Sequence, residues 1–171
     1  MSIIRTDRLD LIPAPTGFIE LLIANEYGRA GDLLNFIVPD GWPNDEDARA
    51  GLSFHLKAIQ RNSAELLWRI RLIVLRSNRT VIGSINLKGL PDESGTAEIG
   101  WGVSPEYQRQ GIAMEASEAV IKWVCSQPKV RRIIATIPAD NRASIRLAEQ
   151  LGMKVTDESR RNLPVWELNM N

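Results

Sequence analysis

The stretch Val103-Ser104-Pro105-Glu106-Tyr107-Gln108-Arg109-Gln110-Gly111-Ile112-Ala113 carries a strand into a helix, and the organisation of the chain turns on it. Apolar residues alternate before it and recur at helical spacing after it. A helix start leaves backbone N–H groups unpaired and carries the positive end of the helix dipole, which together suit an anion. Gly111 lets the backbone approach a phosphate, small Ala113 keeps the next turn clear, and Arg109 adds charge. No Gly-Lys-Ser/Thr follows, so this is not a Walker loop, and the spaced glycines of a dinucleotide fingerprint are missing. Spacing alone fits an ordinary strand-to-helix turn equally well.

Upstream, Ala97 to Val103 is the third strand of an antiparallel meander. From Leu67, Trp68, Ile70, Leu72 and Val74 alternate with Arg69, Arg71, Ile73 and Leu75, and Val81, Gly83, Ile85 and Leu87 alternate in a return strand after the turn Ser77-Asn78-Arg79. Downstream, Gly111 to Ser126 reads as a helix and Arg132 to Ile137 as a β-branched strand, a parallel crossover of normally right hand. Asp140 or Asn141 caps a helix with apolar Ile145, Ala148 and Leu151, and Gly152 stops it. Lys154 to Glu158 and Val165 to Met170 form a closing antiparallel pair.

Nearer the start, Asp7 to Ala14 reads as a short strand and Thr16 to Ala24 as a helix, followed by an irregular stretch. Val38-Pro39-Asp40-Gly41-Trp42-Pro43 is a turn-rich loop. Asn44 is placed to cap a helix whose Ala48, Leu52, Leu56 and Ile59 share one face, with His55 on its flank. These elements make one α+β domain with a mixed sheet and helices on both faces. No repeat or linker divides the chain.

Its 171 residues fit one domain with a sizeable core, and 44% hydrophobic with 25% charged residues is the composition of a globular protein. Lys plus Arg and Asp plus Glu both number 21, so no basic footprint for nucleic acid is present. One cysteine and one histidine leave no intrachain disulfide and no Cys/His zinc set. The start MSIIRTDRLD lacks a signal-peptide core and no long apolar run follows, so the expected location is cytoplasmic, without a membrane partner.

Gln108-x-x-Gly111-x-Ala113 resembles the Gln/Arg-x-x-Gly-x-Gly/Ala loop of the GNAT superfamily of N-acetyltransferases. Glu98 to Tyr107 is similar to the strand leading into that loop. Asn141-Arg142-Ala143-Ser144, with Leu151-Gly152-Met153 downstream, resembles a helix of the subgroup that includes the RimJ and RimL ribosomal-protein acetyltransferases. The opening Arg5-Thr6-Asp7-Arg8-Leu9 is similar to that subgroup's first strand. The resemblance spans the chain and implies one domain over residues 1–171, with a mixed, mostly antiparallel seven-stranded sheet containing a central parallel pair. It also implies acetyl-CoA as cosubstrate, with no metal, and a primary amine as acceptor. That amine belongs to a protein N-terminus or to a small molecule; a non-catalytic acyl-CoA-binding module is the remaining alternative. Many members are homodimers.

By the same resemblance, Gln108, Arg109, Gln110, Gly111, Ile112 and Ala113 hold the pyrophosphate. The Val103 N–H polarises the thioester, and Asn141 bonds the pantetheine arm or a water near it. Glu98, on the strand approaching the thioester, is the candidate base, against a reading as a carboxylate that orders a neighbouring chain or pairs with the amine. The tyrosine acid that many members place seven residues after the asparagine is replaced by Ala148. Ser144 is the candidate near the leaving thiolate, or else a helix cap. Trp42, followed by three acids, is expected to wall an acceptor pocket in company with Trp101, the alternative being a loop that tucks Trp42 into the core. Cys125 is expected to be a buried structural thiol, and His55 to be partly buried or exposed rather than catalytic.

Overall fold

In a computed structural model that describes residues 3–168, the alternating segments become strands that pair mainly with their chain neighbours. β1 (Ile4–Arg5) turns back into β2 (Leu9–Pro13), which joins the outer edge of β3 (Ile70–Leu75). β4 (Val81–Leu87) and β5 (Thr96–Val103) complete the meander. β6 (Arg132–Thr136) lies parallel to β5, and the hairpin of β7 (Lys154–Arg160) and β8 (Leu163–Leu168) closes the sheet through β8. The order is β1-β2-β3-β4-β5-β6-β8-β7, so the described residues form eight strands rather than seven. The addition is β1, whose two residues are too few to show alternation. Of the strand expected over Val165 to Met170, the last two residues lie outside the described ones.

Each face of the sheet is covered, as expected. α1 (Thr16–Ile23), α2 (Tyr27–Leu34) and α3 (Glu46–Arg61) supply Phe18, Ile19, Ala30, Leu52 and Ile59 to a core with Leu72 and Val74. α4 (Ile112–Cys125) and α5 (Arg142–Gln150) place Ile112, Ala116, Val120, Val124 and Ala148 on Ile85, Leu87, Ile99 and Ile133. Arg71, fully buried on the α4 side, stacks its guanidinium 4.3 Å from the Trp123 ring centroid. No helix of the described residues is long and apolar enough to cross a membrane.

Three local readings change. The irregular stretch contains α2, whose pattern is diluted by Gly28 and Gly31. Gly31 is needed there, because a Cβ would stand 2.4 Å from the Phe36 carbonyl oxygen as the chain folds back through left-handed Asn35. α3 is capped by Asp45, which accepts from the Ala48 N–H at 2.8 Å, not by Asn44. Leu67 and Trp68 belong to a 3-10 turn over Ser63–Trp68, and the strand begins at Ile70.

Candidate active site

β5 ends at Val103, a short 3-10 turn over Pro105–Tyr107 follows, and α4 starts after Gly111. Arg109 has φ 58° and Gly111 has φ 75°, so the loop passes twice through left-handed backbone before the helix begins. Gly111 at the N-cap has no side chain to cap α4, which leaves the first N–H groups of the helix open to a partner outside it. Gln108 Nε2 donates to the Val103 carbonyl at 2.9 Å and Gln110 Nε2 to the Glu106 carbonyl at 2.9 Å, bracing the loop on itself. Ile112 is buried in the core, Ala113 is half-buried, and Arg109 is exposed.

β5 and β6 pair only from Thr96 opposite Arg132 to Glu98 opposite Ile134. Beyond Glu98 the two strands separate while β5 continues beside β4 to Val103. The Lys88 N–H donates to the Glu98 carbonyl and the Ser104 N–H to the Ile82 carbonyl, so even-numbered residues of β5 bond β4. The backbone groups of Trp101 and Val103 therefore face the side that β6 has left. The Val103 N–H points into a wedge-shaped gap beside the loop.

α5 reaches β5 on the α4 face of the sheet. Asn141 caps it, its Oδ1 accepting from the Ser144 N–H at 3.1 Å, and Ser144 Oγ accepts from Trp101 Nε1 at 3.3 Å. The cap is thus Asn141 and not Ser144, whose Oγ lies against β5, while Ala148 is fully buried.

Glu98 lies on the opposite face of β5, in line with Gly100 and Gly102, which stand opposite Asn86 and Ser84 of β4. Its carboxylate is 8% exposed, accepts from Thr136 Oγ1 at 2.9 Å, and is ion-paired with Arg161 Nη2. Arg161 stands at the tip of the β7–β8 hairpin, where Arg161 and Asn162 both have positive φ, the pattern of a tight two-residue turn. Nothing in the local sequence marks it, since the pairing joins positions 63 residues apart. The Asn86 Oδ1 is buried with no hydrogen-bond partner among the described residues.

The two tryptophans expected in one acceptor cleft do not meet. Trp42 is 4% exposed in the α1–α3 core, so its loop takes the inward alternative. Trp101 points to the α4 face with Ala97 and Ile99, because odd and even residues of a strand take opposite sides. Cys125 is exposed rather than buried, one position past inward Val124 at the end of α4. His55 is more buried than expected, and burial, then Arg69 and Lys88, push its pKa down to about 4.

The loop also has a neighbour from the start of the chain. Arg8 Nε lies 2.6 Å from Glu115 Oε2, Arg8 Nη1 donates to the Gln110 carbonyl at 2.9 Å, and Thr6 Oγ1 donates to Glu115 Oε1 at 2.5 Å. Burial raises the Glu115 pKa, but the hydrogen bonds from Thr6 and Arg8 outweigh it and hold the carboxyl below the usual range.

Residues 20–154 match the model of the acetyltransferase (GNAT) domain. The uncharacterized N-acetyltransferase YjdG of Bacillus subtilis (strain 168) is 26% identical over 93% of this chain and 94% of its own. The uncharacterized N-acetyltransferase YnaD of the same organism is 30% identical over 75% of this chain and 70% of its own. Among solved structures, RimL, a ribosomal L7/L12 alpha-N-protein acetyltransferase in complex with coenzyme A, shares the fold with TM-score 0.65 at 15% identity, over 99% of this chain and 98% of its own.

Proposed function

This chain belongs to the GNAT acetyltransferase family, and on that premise we propose that it transfers the acetyl group of acetyl-CoA directly to a primary amine, that of a protein N-terminus. The observation that carries the donor half is the wedge between β5 and β6, with the Val103 N–H facing it beside an uncapped helix start. In this reading the loop from Gln108 to Ala113 binds the pyrophosphate and the pantetheine arm enters the wedge past Asn141. The amine nitrogen attacks the thioester carbon, and the Val103 N–H donates to the oxyanion that forms. The C–S bond then breaks, the thiolate takes a proton on the side of Ser144, and the new amide nitrogen gives one up.

Glu98 is the nearest acidic group of β5 to take that proton, directly or through water, once an incoming amine displaces Arg161. Ser84 and Asn86 supply hydrogen-bonding groups on the same face. The likeness to RimL, a ribosomal L7/L12 alpha-N-protein acetyltransferase, is one of fold, and it motivates the choice of a protein terminus.

Buried Ala148, where many family members carry a tyrosine acid, favours a second reading as an acyl-CoA-binding module without turnover. Thiol release from acetyl-CoA, measured with N-terminal peptides, polyamines and amino acids, separates the readings. Release with peptides alone supports the proposal, and release with small amines alone moves the acceptor class. Acetyl-CoA binding with no release across the panel defeats the enzyme reading for those acceptors.

A further inference from the structure

Arg8 lies outside the stretch that matches the family model, in the turn between β1 and β2, yet its guanidinium reaches the first turn of α4. Two of its three nitrogens are occupied there, Nε by Glu115 and Nη1 by the Gln110 carbonyl, and the Arg8 N–H donates to Glu115 Oε1 at 3.0 Å. The third, Nη2, stands 3.4 Å from the place a Cβ would take on Gly111, which puts it against the loop. The planar fork fixes its direction once the other two are held.

A cation at the positive end of a helix is unfavourable by itself. Glu115 offsets part of that charge. Nη2 still stands against Gly111, the N-cap from which the uncapped helix starts, two residues after exposed Arg109. A simple staple between β1–β2 and α4 needs only Nε and Nη1. We infer that Arg8 is a further binding residue of the acyl-donor site, with Nη2 donating to a phosphate oxygen of the coenzyme A held on Gln108 to Ala113. This rests on the reading of that loop as an acyl-CoA site. Glu115 and Thr6 are then positioning residues, which keep the fork aimed at the phosphate.

The phosphate concerned belongs to the pyrophosphate or to the ribose 3′ position, and the ligands of the test tell these apart. Calorimetric titration of wild type, Arg8→Ala and Arg8→Lys with coenzyme A, 3′-dephospho-coenzyme A and phosphate-free pantetheine is the experiment, with a melting curve for each protein. Arg8→Ala is expected to weaken coenzyme A by roughly tenfold to a hundredfold, the weight of a charge-assisted hydrogen bond. Arg8→Lys, which keeps the charge and loses the fork, falls between and carries the test where Arg8→Ala melts too early. Pantetheine affinity stays at the wild-type value. Equal losses for both nucleotides place the contact on the pyrophosphate, and a loss for coenzyme A alone places it on the 3′-phosphate. Unchanged coenzyme A affinity in both variants, or an equal loss for pantetheine, overturns the inference and leaves Arg8 a staple. A wild-type protein that melts cooperatively and binds no coenzyme A overturns the reading of the loop, and the inference with it.

Discussion

Glu98 shows how much a single residue's role depends on what reaches it from elsewhere. A buried carboxylate with one hydroxyl and one guanidinium on the same oxygen is already partnered, so an incoming amine meets it only where the guanidinium moves away. Glu98→Gln keeps the shape and removes the base, so a loss of about 100-fold or more in kcat, with acetyl-CoA KM unchanged, is expected if Glu98 takes the proton. An unchanged kcat would assign it to holding β6 and the β7–β8 tip together. The sequence showed the position of Glu98 but not its partner, because strand alternation is local and the contact with Arg161 is not. Arg8 escaped notice for the same reason, since it meets Glu115 across 107 residues. Trp42 was ambiguous in another way: an aromatic residue between prolines has the same composition whether its loop folds inward or outward. His55 carries a pH prediction. The unfolded chain takes its proton near 6.5 and the fold only near 4, so its contribution to stability is intact above 6.5 and is lost as pH falls toward 4. The loss is on the order of 3 kcal/mol at most. Melting curves of His55→Leu should therefore be flatter than wild type across that window, and parallel curves would contradict a neutral buried imidazole.

At the scale of elements, legibility follows periodicity. The meander, the crossover and α4 stood out because each holds one period for most of its length, and a Gly at a helix start is a signal contained within one turn. α2 did not, because two glycines in eight residues remove side chains from its pattern. The start of α3 was misplaced by one residue because Asn44 and Asp45 are both good caps, and only the path of the chain out of Pro43 selects between them. Asp45→Ala should cost about 1 kcal/mol by denaturant titration, and Asn44→Ala next to nothing. The reverse order would restore the sequence-based assignment. α5 shows a cap with a second use: Asn141 holds the Ser144 N–H, which fixes the serine whose Oγ meets Trp101 on the α4 face.

Across the whole molecule, the sheet is two units joined by a weak seam. β1 to β5 form one antiparallel block and β6 with the β7–β8 hairpin another, and between them the ladder runs for three residues before the strands part. Packing of α4 and α5 across the seam keeps the halves together, while the backbone groups of Trp101 and Val103 are left facing the gap. A donor in that wedge hydrogen-bonds where β6 does not and touches both halves, so binding should stiffen the seam rather than the periphery. A ligand present at 100 times its Kd stabilises the folded state by about 2.7 kcal/mol. For a chain of this length that corresponds to a rise of roughly 5 to 10 °C in Tm. Hydrogen exchange locates the effect. Acetyl-CoA should slow exchange most at residues 99–103 and 109–115 and next along α5, with little change in β2–β3 pairing or in α1 to α3. Protection confined to the first three helices, or spread evenly over the chain, would mean that the donor does not enter between β5 and β6.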